Sequence, residues 1–209
     1  MFRFSIDQIE EYAFGKKEFL IDNDALENVS QSFHFLVEFS KNKIIYGINT
    51  GFGPMAQYKI DNAQLNQLQY NLIRSHSCGV GNVLNETYSR SVVLSRLINF
   101  LQGHSGVSNA VINQLIAFLN NNILPEIFEH GGVGASGDLT QLAHLGLNLI
   151  GEGYVYQNGE RTKTAVALKK FKIQPLKLQL RDGLGIINGT SCMSGIAAVN
   201  LIYAYRLLD

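Results

Sequence analysis

The chain has 209 residues, 46% of them hydrophobic, which is enough to bury a core and indicates one domain or at most two. Seventeen basic side chains balance 17 acidic ones, so nothing advertises a nucleic-acid or anionic-membrane partner, and small molecules or other chains remain. Only Cys78 and Cys192 are present, far apart and without CxxC spacing, which excludes a disulfide framework and a zinc site and reads both as free thiols.

The opening MFRFSIDQIEEY turns acidic early and contains no apolar run of signal-peptide length. No later stretch reaches the roughly 20 apolar residues of a membrane span, so the expectation is a cytoplasmic protein with no membrane partner. Leu26, Val29, Phe33, Leu36 and Val37 recur at helical spacing. So do Leu65, Leu68, Leu72, Ile73 and His76, and again Val111, Leu115, Phe118 and Leu119. Two more helices start beside small or polar residues, one after Ser136-Gly137-Asp138 and one after Asn188-Gly189-Thr190, where Ser, Thr, Asp and Asn are natural N-caps. Between them, YVYQNGERT carries Asn158-Gly159 as a two-residue hairpin turn, and Leu176 to Arg181 alternates as a half-exposed strand does. The fold class is therefore mainly α with a small β insert. The final IAAVNLIYAYRLLD still follows a helical pattern at Asp209 without a stop signal, which leads us to expect a truncated chain.

GGVGASGDLTQLAH, from Gly131 to His144, has the barest backbone in the molecule. Small residues in such density mean that the main chain must bend sharply, approach something closely, or react. Gly132 to Gly137 reads literally as GxGxxG, with Glu160 near the distance of a ribose-binding acid. The upstream ILPEIFEH, with Pro125 and two glutamates, is a poor buried parallel strand for that motif. A nucleophile elbow needs G-x-S-x-G, and the order Gly134-Ala135-Ser136-Gly137-Asp138 fails it. A tight turn into a capped helix explains the glycines but not their order. In the chemical reading, the Gly137 nitrogen attacks the Ala135 carbonyl, two waters leave, and Ser136 becomes the methylidene of a 4-methylidene-imidazol-5-one.

At Ala135-Ser136-Gly137-Asp138 the sequence resembles the aromatic amino-acid ammonia-lyases and aminomutases, the histidine, phenylalanine and tyrosine lyase family, whose prosthetic group forms from Ala-Ser-Gly. YGINTGFGP (Tyr46 to Pro54), LQYNLIRSHSCGVG (Leu68 to Gly81), GGVGASGDL and GLGIINGTS (Gly183 to Ser191) fall in the family's order and span most of the chain from residue 44 on. The resemblance implies the N-terminal portion of the helical fumarase/aspartase-like fold. Residues 1–209 would be the domain bearing the methylidene, and the central helical bundle would start at about 191. It also implies a homotetramer whose sites combine loops from three subunits, with the C-terminal half, including a carboxylate-binding arginine, absent.

The same resemblance assigns roles. Ala135, Ser136 and Gly137 would form the electrophile with no external cofactor and no metal, and Asn188 would donate to the oxyanion. Tyr46 would remove the β-proton, which requires its phenol, ordinarily near about 10, to be depressed by the helix dipole ends. Ser75 and His76 match the ring-recognition pair, with Gly53 and Leu184 as further substrate-binding positions. His34, His104, His130 and His144 read as structural. Ser75-His76 points to histidine as substrate. However, Ser191 stands where histidine lyases usually carry Gln, and a histidine-lyase-like group of bacterial tyrosine lyases resembles this chain throughout, which favours tyrosine. The expected product is coumarate or urocanate. A 2,3-aminomutase, or an inactive, assembly-dependent piece of the lyase, is the alternative.

Overall fold

A computed structural model describes residues 3–58, 60–61 and 64–208. Helices α1 (Ile6–Ala13) and α2 (Asn23–Phe39) come first, followed by α3 (Leu65–His76), α4 (Glu86–Phe100) and α5 (Asn109–Asn120). Helices α6 (Leu139–Leu149), α7 (Thr164–Lys170), α8 (Asp182–Ile187) and α9 (Ser191–Leu208) follow. A single 3-10 turn (Gly53–Met55) precedes α3, and short strands β1 (Val80–Val83), β2 (Leu124–Pro125), β3 (Phe128–His130), β4 (Tyr154–Gln157) and β5 (Glu160–Lys163) are the remaining elements among the described residues.

The five helices read from periodicity are α2, α3, α5, α6 and α9. Helix α4 escaped that reading because Ser89, Arg90, Ser91 and Arg96 are buried beside Val92, Val93, Leu94 and Leu97, so polarity no longer reports the exposed face. Helix α1 is set by a capping box, in which Gln8 N donates to Ser5 Oγ at 3.2 Å and Ser5 N donates to Gln8 Oε1 at 2.9 Å.

Helices α4 and α9 pack closely, and small residues make this possible. A Cβ on Gly195 would stand 2.7 Å from the Ser91 carbonyl oxygen, and Ser91 Oγ donates to the Gly195 carbonyl at 2.9 Å. Phe100, Leu97, Ile112, Leu115 and Phe118 fill the core beneath. Helix α6 lies against α3 and α8, with Gly146 facing Ile73 and Ile186.

The hairpin forms as read: β4 and β5 pair antiparallel, and Asn158 and Gly159 take φ of 51° and 82°. β2 pairs antiparallel with β4, and β3 with β1. Among the described residues, the strand that leads into the small-residue run, β3, is antiparallel to its neighbour, which removes the structural context a dinucleotide site requires.

Three expectations are corrected. Leu176 to Arg181 is no strand: Leu176 and Leu178 are buried and Lys177 and Gln179 exposed, but Leu176 N donates to the Leu149 carbonyl at 2.9 Å and Leu178 N to Tyr70 Oη at 3.2 Å. The alternation reports an extended segment lying on helices. Helix α9, at 18 residues and mean hydropathy 1.2, is long and apolar enough to cross a membrane, contrary to the expectation that no such stretch exists. One of its faces packs on α4, Arg206 pairs with Glu10 at 2.6 Å, and Met193, Leu201 and Tyr205 are exposed. Asp138 takes the N-cap position of α6 without capping it through its side chain. Asp209 lies outside the described residues.

Candidate active site

The bare stretch bends as its composition demands, with positive φ at Gly131 (130°), Gly134 (75°) and Gly137 (85°). Ala135 and Ser136 are exposed at its crest. Gly137 then pairs in an isolated parallel bridge with Gly189, and Asp138 N donates to the Gly189 carbonyl at 2.8 Å. A Cβ on Gly137 would collide with that carbonyl oxygen, so the approach is open to glycine alone. Ala-Ser-Gly and Asn-Gly-Thr, 53 residues apart in sequence, are thereby joined at the starts of α6 and α9. Both helix N-termini, with their positive dipole ends, lie at this junction beside the tripeptide.

Asp138 closes the junction from the other side. Its Oδ2 accepts from Met193 N at 2.9 Å, placing a carboxylate in the first turn of α9. Cys192, buried there, has its thiol pushed up to about 12 by burial and, secondarily, by the Asp138 charge. It is a packed, inert thiol, whereas Cys78 is exposed and also free.

Asn188 ends α8. Its N donates to the Leu184 carbonyl at 3.0 Å and its carbonyl accepts from Arg96 Nη2 at 2.8 Å, so the main chain is fixed while the residue stays exposed. Ser191 is buried, and its Oγ accepts from Arg96 Nη1 at 3.3 Å.

Tyr46 sits on the loop before α3, 55% exposed, with its ring 6.0 Å from Phe52 in an edge-to-face contact. Its Oη accepts from Gly53 N at 3.3 Å. Gly53 therefore touches the phenol, in a backbone conformation (φ 53°) suited to glycine. The loop is seated on α8: Gly47 leaves no room for a Cβ against Leu184, which is buried under the loop. Gln69, fully buried on α3, joins the same two segments. Its Nε2 donates to the Gly47 carbonyl at 3.2 Å and its Oε1 accepts from Leu184 N at 3.0 Å.

Ser75 and His76 end α3. Ser75 Oγ donates to the Leu72 carbonyl at 3.1 Å. His76 Nδ1 lies 2.9 Å from that carbonyl and 3.1 Å from Ser75 Oγ. A carbonyl only accepts, so Nδ1 carries the proton and Nε2 is left as an acceptor. The loop that follows is tied to α6, because Gly79 N donates to His144 Nε2 at 3.0 Å, and the Gly79 main chain lies against Gly131. This bears out the structural reading of His144.

All four motif segments thus meet through Gly137–Gly189, Gly47–Leu184 and Gly79–Gly131. The side chain of Asp138, together with Gln69 and Arg96, makes this framework; Asp138 was read from sequence as a cap for its own helix, and neither Gln69 nor Arg96 was singled out. The signal was faint: a lone amide on the apolar side of α3, and a lone cation in the apolar run VVLSRLINF.

The family model for aromatic amino acid lyases matches residues 4–209. The chain belongs to the aromatic amino acid lyase family. A histidine ammonia-lyase of Staphylococcus saprophyticus is 41% identical over 204 residues, covering 97% of this chain and 41% of that relative. Among solved structures, the phenylalanine aminomutase of Pantoea agglomerans superposes with a TM-score of 0.92 at 31% identity, covering 99% of this chain and 40% of that one. The tyrosine aminomutase of Streptomyces globisporus gives 0.86 at 35%, covering 93% and 37%. The chain therefore spans about two fifths of the length of these aromatic lyase relatives.

Proposed function

We propose that this chain carries the ring-forming part of a non-oxidative ammonia-lyase that converts an aromatic L-amino acid, tyrosine first, into its α,β-unsaturated acid. The observation that carries the reading is the Gly137–Gly189 pairing, which sets Ala135-Ser136-Gly137 between the N-termini of α6 and α9. The residues fit the family's ring: the crest is small and exposed, and Gly137 lies where a Cβ would collide. Once formed, the 4-methylidene-imidazol-5-one supplies an electrophile that no unmodified side chain offers, without external cofactor or metal.

Tyr46 takes the β-proton, with Gly53 holding its phenol oxygen. Asn188 has its main chain committed, so its side-chain amide would be the group to donate a hydrogen bond to the ring once formed. His76 Nε2 accepts from an O–H or N–H on the substrate's ring, which favours tyrosine or histidine over phenylalanine. Ser191, in place of the usual Gln, supports tyrosine and coumarate. Ser75-His76, and a 41%-identical relative named for histidine, support histidine and urocanate as the second reading. The aminomutase variant uses the same residues to return ammonia at the β-carbon, and two structural neighbours bear that name.

The exposed apolar side of α9 is where further copies pack in a homotetramer, and two free thiols suit a reducing cytoplasm. The test is direct. The full-length protein should show the mass deficit of two waters at residues 135–137, should lose it in Ser136→Ala, and should make coumarate faster than urocanate. An intact Ser136 in a fully active enzyme would end the proposal. Faster urocanate formation would move the substrate to histidine, a β-amino acid product would make the enzyme a mutase, and an uncyclised, inactive protein would leave the assembly-dependent piece.

A further inference from the structure

Beneath the Asn188-Gly189-Thr190 turn lies a cation that the chemistry above does not use. Arg96 projects from the buried helix α4 and is 3% exposed. Its Nη2 donates to the Gly185 carbonyl and, at 2.8 Å, to that of Asn188. Its Nη1 donates to Ser191 Oγ at 3.3 Å and Asn99 Oδ1 at 3.4 Å, and the guanidinium lies 4.4 Å over the Phe100 ring. The carbonyls of Gly185 and Asn188 come from the last turn of α8, where an ending helix leaves acceptors without an intrahelical partner.

Burying a cation is costly, and it lowers the guanidinium to about 10, with Arg181 adding repulsion and Asp138 a partial offset. It stays charged at neutral pH. Its Nε is buried without a partner among the described residues, so the fork is committed to the turn at the expense of its own remaining donor. The turn is pressed against it: a Cβ on Gly189 would collide with Nη1. On its opposite side, Gly189 presents its carbonyl to Asp138 N and lies against Gly137.

We propose that Arg96 is the positioning residue for ring closure, holding the Asn188-Gly189-Thr190 turn against Gly137 so that Ala135, Ser136 and Gly137 keep the bend from which they cyclise. The inference rests on the ring-forming reading above. In closure, the Gly137 nitrogen bonds to the Ala135 carbonyl carbon. That carbonyl oxygen leaves as water with the amide hydrogens of Gly137 and Ser136. Ser136 Oγ leaves as a second water with its own hydrogen and that of the Ser136 Cα, and no oxidant is required. Such a step is sensitive to position, since a misplacement of about 1 Å can cost about a hundredfold. A lysine at 96 offers one ammonium where the fork reaches two carbonyls and a hydroxyl together, so it restores the charge without the geometry.

The test follows the intact mass of the full-length protein over time after synthesis, for the native sequence, Arg96→Lys and Arg96→Met, with circular dichroism and assembly state alongside. Loss of the two waters should slow by about ten- to a hundredfold in both variants while they fold and assemble. Arg96→Met closing its ring at the native rate, with only its melting temperature lowered, would overturn the proposal and leave Arg96 a packing residue. Gly189→Ala keeps Arg96 and its charge but forces the turn off Nη1, and it decides the matter should the Arg96 variants fail to fold. It should close slowly, and native-rate closure there would refute the assignment. A native protein that never loses the two waters would refute the ring-forming reading instead, a distinct result.

Discussion

Asp138 caps a helix that it does not begin. It stands at the start of α6, yet its Oδ2 accepts from Met193 N, 2.9 Å away in the first turn of α9, while its own amide donates to the Gly189 carbonyl at 2.8 Å. Main chain and side chain of one residue therefore lash the two small-residue segments together. Replacing Asp138 with Ala should cost about 1 kcal/mol, as loss of a helix cap does. Asp138→Asn keeps an oxygen acceptor, loses the charge that favours a helix N-terminus, and should fall between. Urea unfolding of the three proteins measures this, and an Ala variant as stable as the native protein would show that the contact carries no weight.

Gln69 does for the Tyr46 loop what Asp138 does for the tripeptide. Its amide is fully buried, with both ends used on main-chain groups of Gly47 and Leu184. Gln69→Leu leaves a buried carbonyl and a buried N–H unpaired, at about 1–3 kcal/mol each. Gln69→Glu can still accept from Leu184 N but cannot donate to the Gly47 carbonyl when ionised. Both variants should lower kcat more than they raise KM, because they loosen the base more than the ring-binding end of α3. A selective rise in KM would place Gln69 in substrate binding instead.

Most of the helical framework was legible in the sequence, because α2 and α3 each have one wet face and one dry face, and α5 and α6, though more deeply buried, carry apolar residues at helical spacing. Helix α4 was not, because its dry face is built partly from Ser89, Ser91, Arg90 and Arg96, whose partners are distant main-chain carbonyls. Nothing local in the chain announces such partners. The same blindness misread Leu176 to Arg181: alternating burial signals a surface beneath, and only coordinates show that the surface is helix ends. At the site, residue order alone marked Ala135-Ser136-Gly137 and Asn188. The side chains that bring them together, Asp138 and Arg96, bind main-chain groups of Met193 and Asn188, and those partners carry no residue-type signature.

Two glycines of the crest should respond differently to alanine. Gly137 has φ 85° and no space, since a Cβ would enter the Gly189 carbonyl; Gly134 has φ 75° and open space around it. Gly134→Ala then bears only the left-handed backbone cost of about 1–2 kcal/mol. Gly137→Ala bears that and must also part from Gly189. The expected result is a Gly134→Ala protein that loses its two waters and a Gly137→Ala protein that does not. Ring formation in both, read by intact mass, would mean that the Gly137–Gly189 contact is dispensable.

His144 is the acid-sensitive link of the framework. It is buried on α6, its ring 5.0 Å from that of Phe128, and its Nε2 accepts from Gly79 N, which requires a neutral imidazole at that nitrogen. Burial holds its pKa below the ordinary 6.5, with the Glu126 charge opposing the shift. As pH falls through 6.5, the unfolded chain takes up this proton before the folded chain does. The stability it contributes is therefore present above 6.5 and is lost as the pH falls through the depressed folded value. Urea midpoints should decline across that window in the native protein. His144→Gln, which can accept but cannot titrate, should flatten this part of the decline at a cost of about 1 kcal/mol near neutrality. An equally steep decline in His144→Gln would assign the acid sensitivity to another group and leave the Gly79 contact indifferent to protonation.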